Sequence, residues 1–269
     1  MKRIISLLAT LMAFTVPVLA QDFDKGLNAA QNGDFKTALK EWGLLAKQGD
    51  LIAQYNLALM YDKSLDIPQN DKEAVKWYKL AAEQGMTIAQ NNLGRMYENG
   101  EGIPQDYKEA LKWYRLAAEQ GDYLAQFNLG VMYYYGKGIQ KNHKEAAKWY
   151  RLAAERGFAE AKYCLGMMYY YGEGVTVDNK NAFKWHKHAA ELGHVQAQNN
   201  LGIIYANGEG VLQNNVLAYL WYEIAAVNGN KISEKWRDQI AEEMTPEDIF
   251  KAQEMVRTCR KSNYQNCGY

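Results

Sequence analysis

Apolar positions along the chain recur at helical spacing in paired short stretches. Ala53, Asn56, Leu57, Met60 and Tyr61 follow the i, i+3, i+4, i+7, i+8 pattern of one helix face. A second stretch, Ala74, Trp77, Tyr78, Ala81 and Ala82, does the same. The pair then repeats. Gly49, Gly85, Gly121, Gly157, Gly193 and Gly229 are thirty-six residues apart, as are Trp77, Trp113, Trp149, Trp185 and Trp221, and Tyr61, Tyr97, Tyr133, Tyr169 and Tyr205. Several residue types holding one period over most of the chain define a tandem repeat of two-helix units.

Local signals mark the ends of these helices. A turn such as Asn99-Gly100-Glu101-Gly102 separates the first helix (A) from the second (B). Asn70 with Glu73, Asp106 with Glu109, and Asn142 with Glu145 are predicted capping boxes that start helix B. The period-36 glycine is predicted to end helix B as a left-handed cap. The recurrence of Trp with Ala-Ala predicts large-into-small packing between neighbouring units. One unit cannot bury its apolar face alone, so the expected fold is an all-α solenoid of stacked hairpins. Five full units run at 50–85, 86–121, 122–157, 158–193 and 194–229, and a partial unit occupies 21–49. In the partial unit Trp42 takes the place of Tyr78 or Tyr114. Residues 230–269 are predicted to cap the array, with Thr245-Pro246-Glu247-Asp248 as a helix start.

Residues 1–20 change the compartment. Lys2 and Arg3 precede an apolar run from Ile4 to Val16, and Val18-Leu19-Ala20 is a small-residue cleavage site before Gln21. This reads as a cleavable signal peptide, with the periplasm as the expected destination and the extracellular space as the alternative. Without Lys2 and Arg3 the chain has twenty-nine basic and thirty-one acidic residues, which gives no electrostatic case for nucleic acid. Export also permits disulfides. Cys259 and Cys267 lie close together in the tail and are expected to pair, a short loop that contributes about 2–3 kcal/mol, leaving Cys164 as a buried thiol.

The pattern Ala-Gln-x-Asn-Leu-Gly-x-x-Tyr, Gly-x-Gly-Ile-x-x-Asp, Lys-Glu-Ala-x-x-Trp-Tyr-x-x-Ala-Ala-x-x-Gly resembles the Sel-1-like repeat, a longer-turn relative of the tetratricopeptide repeat. The units at 86–121 and 122–157 carry it almost throughout. The unit at 50–85 departs at Lys63-Ser64-Leu65-Asp66, and that at 158–193 has Cys164 for Asn and His186 for Tyr. The unit at 194–229 lacks the Lys-Glu before its Trp and has Val227 for Glu. The resemblance implies a right-handed solenoid acting as a protein-interaction scaffold, with a peptide segment or partner protein held in its concave groove.

In tetratricopeptide-like stacks the groove is lined from fixed places on helix A. Those places here hold Phe127, Val131, Tyr134 and Tyr135, then Tyr163, Met167, Tyr170 and Tyr171. Flanking units offer Arg95, Glu98 and Asn99, and Gln196, Asn199 and Asn207. Aromatic side chains suit an extended peptide or helix laid in a groove. The same tyrosines would equally pack the turns between units. Asn92 and Asn128, with Asn56 and Asn200, recur between core and groove, where an Asn either binds a peptide backbone or satisfies a neighbouring backbone group.

Two other functions have sequence features to consider, a basic stripe and a kinship to cysteine-rich relatives. Lys72, Lys76 and Lys79 recur as Lys108, Lys112 and Arg115, Lys144, Lys148 and Arg151, and Lys180, Lys184 and Lys187. This basic stripe on the expected convex side could contact an envelope surface or serve a host-directed effector, although acids beside it make a solvated, ion-paired face. Some cysteine-rich relatives are associated with β-lactam binding or hydrolysis. No serine here heads a Ser-x-x-Lys, and the stapling cysteine pairs are absent. No metal-ligand spacing, cofactor motif or phosphate-binding glycine loop is present, so catalysis, metal and cofactor are not expected.

Overall fold

The computed structural model describes residues 23–63, 68–265 and 267. The expected signal segment 1–20 lies outside them, as do residues 64–67 of the divergent first turn. Among the described residues the secondary structure is helical, without strands. The chain is an all-α solenoid whose helices fall into two compact units. The first, reaching Asp122, holds α1 over 23–31, α2 (Phe35–Lys47), α3 (Leu51–Lys63), α4 (Asp71–Glu83), α5 (Thr87–Asn99) and α6 (Tyr107–Glu119). The second, from Tyr123, holds α7 (Tyr123–Tyr135), α8 (His143–Glu155), α9 (Ala159–Tyr171), α10 (Asn179–Glu191), α11 (Val195–Asn207), α12 (Asn215–Val227), α13 (Lys231–Ala241) and α14 (Pro246–Lys261). Odd-numbered helices up to α11 are the A helices and their successors the B helices. The N-terminal segment is thus a full hairpin, made short because Asn32, Gly33 and Asp34 alone link its helices.

The helix ends hold the period. Asn70, Asp106, Asn142, Asp178 and Asn214 each accept a hydrogen bond from the amide three residues on. The return half of the capping box is not made. The cap's own N–H donates to the carbonyl of the period-36 tyrosine in the preceding helix, at 2.9 Å for Asp106 to Tyr97 and 2.8 Å for Asn142 to Tyr133. Glu73 is thereby free to accept from Trp77 Nε1 at 3.1 Å and from Lys76. At the other end the glycine stands one residue beyond the cap. Gly85 N–H donates to Ala82 O and Met86 N–H to Ala81 O, the double bond pattern that closes a helix with positive φ, here +93°.

Within each hairpin the closest packing is a ring on bare backbone. A Cβ on Gly94 of α5 would lie 2.7 Å from the Tyr114 ring of α6. The same holds for Gly130 with Tyr150 (2.7 Å), Gly166 with His186 (2.6 Å) and Gly202 with Tyr222 (2.4 Å). Gly26 meets Trp42 in the same way, so Trp42 does occupy the tyrosine place. The α3/α4 hairpin differs: Ala58 replaces the glycine, and both Ala58 and Tyr78 are fully buried. The expected Trp-with-Ala clusters are present, with Trp113 sharing a core with Ala81 and Ala82, and Trp221 with Ala189 and Ala190. The residue after the Trp, however, is the one seated most tightly.

A buried amide joins successive hairpins. Gln54 Nε2 donates to Ala46 O (3.1 Å), Gln90 to Ala82 O (3.1 Å) and Gln198 to Ala190 O (3.2 Å). Each of these glutamines then accepts from the residue capping its own B helix: Gln84, Gln120 and Asn228. Both ends of a buried amide are satisfied, which a core tolerates. At the C-terminus α13 and α14 pack on α12. Thr245 caps α14 with Pro246 in its first turn, and Cys259 and Cys267 are brought to disulfide geometry, Cα atoms 4.6 Å apart. The tail returns onto earlier turns through Tyr264 to Asn228 (3.0 Å) and Gln265 to the Glu191 carbonyl (3.0 Å).

Two glycine substitutions should separate packing from backbone freedom. Gly130→Ala forces a methyl into the Tyr150 ring and should destabilise by about 1–3 kcal/mol. Gly43→Ala, in α2 with nothing within 4 Å of the added carbon, should stabilise by about 0.5–1 kcal/mol. Urea midpoints followed by circular dichroism check both, and equal effects would refute the ring seat.

Candidate partner-binding face

The A helices of the second unit bring most of the expected groove residues together. Two adjoining pockets open there and share Met167 as a wall. The first, about 190 Å³, is formed with Tyr134, Tyr135 and Tyr163. The second, about 110 Å³, is formed with Tyr170 and Tyr171. Tyr135 and Tyr171 are 65% and 61% exposed, a large aromatic area in water. Each stands edge-on to its neighbour, with centroids 4.9 Å from Tyr134 and 5.0 Å from Tyr170.

The tyrosines divide into members that pack a turn and members that stand in water. Tyr134 and Tyr170 face the turn of the following hairpin. Tyr134 Oη donates to Glu173 at 2.5 Å, and its ring stacks on His143 at 4.7 Å. Glu209 stands beside the Tyr170 hydroxyl. In each case the hydrogen bond to the carboxylate, with burial second, raises the phenol's pKa. Tyr135 and Tyr171 are the ones that project.

The remaining candidates lie elsewhere. Phe127 is half-buried and packs on Tyr150 and Phe158 at 5.5 and 5.1 Å, outside both pockets. Asn128 is half-buried on α7 and lines neither pocket. Asn92 belongs to the first unit, beside the Tyr78 hydroxyl. In the second unit Asn200 is within 3.2 Å of Met167 Sδ and 3.5 Å of His186 Nε2. Cys164 lines the larger pocket, and burial pushes its thiol up to about 12, so it is not a thiolate at neutral pH. The basic stripe is paired in part along its own helices: Lys76 with Glu73, Lys112 with Glu109 and Lys148 with Glu145 at i, i+3, and Lys187 with Glu191 at i, i+4.

Sequence reasoning missed the pocket floors. Tyr150 floors the larger pocket and His186 the smaller, each being the ring seated on an A-helix glycine. The signal lies in the sequence, where His186 stands in place of the repeat's Tyr. It also missed Asp62, 9% exposed, which accepts from Tyr78 Oη (3.1 Å) and from Arg95 Nη2 (2.9 Å). Among the described residues no group of three or more metal-ligating side chains comes together, and no helix is long and apolar enough to cross a membrane.

The Sel1 repeat family profile matches residues 51–86, 87–122, 124–158, 159–194 and 195–230. Among solved structures, a Sel1 repeat protein from Oxalobacter formigenes is 36% identical with a TM-score of 0.76, covering 88% of this chain and 99% of its own. A protective antigen present in uropathogenic Escherichia coli strains, displaying an SLR fold, is 25% identical with a TM-score of 0.46, covering 91% of this chain and 69% of its own. No curated protein matches the chain.

His186 makes this face acid-sensitive. Its burial, with a smaller push from His194, lowers its pKa from 6.5 to about 3. The unfolded chain takes up this proton near pH 6.5 and the folded chain does not. Stability present at neutral pH is therefore lost as pH falls below about 6.5, by about 1.4 kcal/mol per unit. Urea unfolding at pH 7 and pH 5 should show that His186→Tyr, which restores the residue found in the neighbouring hairpins, loses less stability on acidification than the wild type. Parallel losses would contradict this.

Proposed function

Because this chain belongs to the Sel1 repeat family, we propose that it is an exported, non-enzymatic scaffold that holds a partner's polypeptide segment against the tyrosine-lined face of α7, α9 and α11. Sel1 repeats are commonly protein–protein interaction scaffolds. The observation that carries the specific reading is the pair of adjoining pockets, each with a largely exposed tyrosine at its edge. Aromatic rings give large contact area for little rotamer loss, and small pockets beside them seat single side chains. The ion pairs that Lys76, Lys112, Lys148 and Lys187 make with acids of their own helices weaken the case for a basic surface effector.

Export rests on the sequence of residues 1–20 alone. Fractionation of expressing cells should recover a periplasmic form beginning at Gln21, and retention of an uncleaved chain in the cytoplasm would refute export. A Tyr135→Ala, Tyr171→Ala double variant should fold normally and lose at least one partner that the wild type captures from periplasmic extract. Equal recovery of every partner by both proteins would remove this face from the function.

A further inference from the structure

The two pockets occupy a place that the first unit fills with its own arginine. In α5, Arg95 reaches two carboxylates: Asp62 at the end of the preceding A helix, at 2.9 Å, and Glu101 in the Gly-x-Gly turn that follows. Tyr78 donates to the same Asp62. Two and three periods on from Arg95 the site changes. Arg95 becomes Met167 and Ile203, while the turn carboxylate persists as Glu173 and Glu209. The site keeps one of its two carboxylates, Asp62 giving way to Tyr134 and Tyr170, and loses its cation, and a pocket opens at that place in each case.

We propose that these pockets accept basic side chains, arginine above all, from a polypeptide that presents two of them to successive repeats. This rests on the reading of the face given above and names what it recognises. Glu173 accepts from the neutral Tyr134 hydroxyl, and Glu209 from the neutral Asn207 amide at 3.0 Å and from the neutral Tyr170 hydroxyl, so none of these bonds compensates the carboxylate's charge. No lysine or arginine lines either pocket. The walls of tyrosine and methionine fit the rest of the ligand. They pack an aliphatic stem, and the tyrosine faces attract a weakly hydrated guanidinium. A single free cation would satisfy one pocket, whereas the shared Met167 wall places two side by side and so favours a chain that supplies both.

The test uses fluorescent dodecapeptides of Gly and Ser carrying two Arg, two Leu or two Glu residues, with the spacing varied, and the full mature protein. Anisotropy should show binding of the Arg peptides alone, weakened by added salt. Glu173→Gln and Glu209→Gln should each weaken it roughly tenfold. Met167→Arg with Ile203→Arg should rebuild the internal arginine, plug both pockets and abolish binding while the circular dichroism spectrum is retained. Leu peptides binding as well as Arg peptides, unchanged affinity in the Gln variants, no binding of Arg peptides at millimolar concentration, or free arginine amide binding as tightly as the peptide would each overturn the proposal. Loss of a natural partner from the Tyr135→Ala, Tyr171→Ala variant alongside any of those results would leave the face in use and discard only its preference for cations.

Discussion

In each glycine-bearing hairpin the two helices approach until an aromatic ring of one rests on the bare backbone of the other. Only glycine leaves the backbone open for this, and only a flat ring covers it. The consequence is a short, fixed distance between helix A and helix B, set by contact with backbone that cannot rotate away. Interiors are packed too tightly for such a contact to relax easily. The seated ring serves two purposes. One face closes the hairpin, and the outer edge floors a surface pocket, as Tyr150 and His186 do in the second unit. Scaffold and candidate site therefore share side chains, so a change of seat ring alters the pocket.

Successive hairpins are joined differently, by polar groups. The glutamine at the second conserved place of helix A bridges the end of the preceding B helix and the cap of its own. Because its carbonyl and amide are both used, the bridge specifies one register between hairpins as well as adding stability. The fourth repeat abandons it: Lys162 stands for the glutamine and lies 5.6 Å from the Trp185 ring, with its pKa lowered by burial. That same repeat carries Cys164 and His186 and contributes Met167, Tyr170 and Tyr171. The departures of this repeat thus gather where the pockets are.

Fold and repeat were legible because period-36 matches among Gly, Trp and Tyr are redundant and each has a local cause. The caps Asn70, Asp106 and Asn142 and the glycines that end the B helices were legible in sequence, since capping depends on residues three apart; Asp178 and Asn214 lack the Glu three residues on and were not. The return bond of the capping box was not legible, because the competing acceptor is a tyrosine carbonyl nine residues back, revealed only when the helices pair. The ring seat was missed for a related reason. Trp and Tyr are adjacent, both bulky and both periodic, and sequence cannot say which faces the glycine of the other helix. On the candidate face, the helix A places to which the resemblance points include Tyr134, Tyr135, Tyr163, Met167, Tyr170 and Tyr171, which lie around two pockets. Sequence could not distinguish the tyrosines tied to the next turn from those left in water, which depends on Glu173 and Glu209 in another hairpin.

The ring seat is most directly tested by a double-mutant cycle on Gly94 and Tyr114, read as urea stability. If the ring lies on the glycine backbone, Gly94→Ala is damaging in the presence of Tyr114 and nearly harmless beside Tyr114→Leu, with a coupling of about 1–2 kcal/mol. Costs that simply add, to within about 0.3 kcal/mol, would show that the two residues do not touch and would contradict the packing from which the pockets follow.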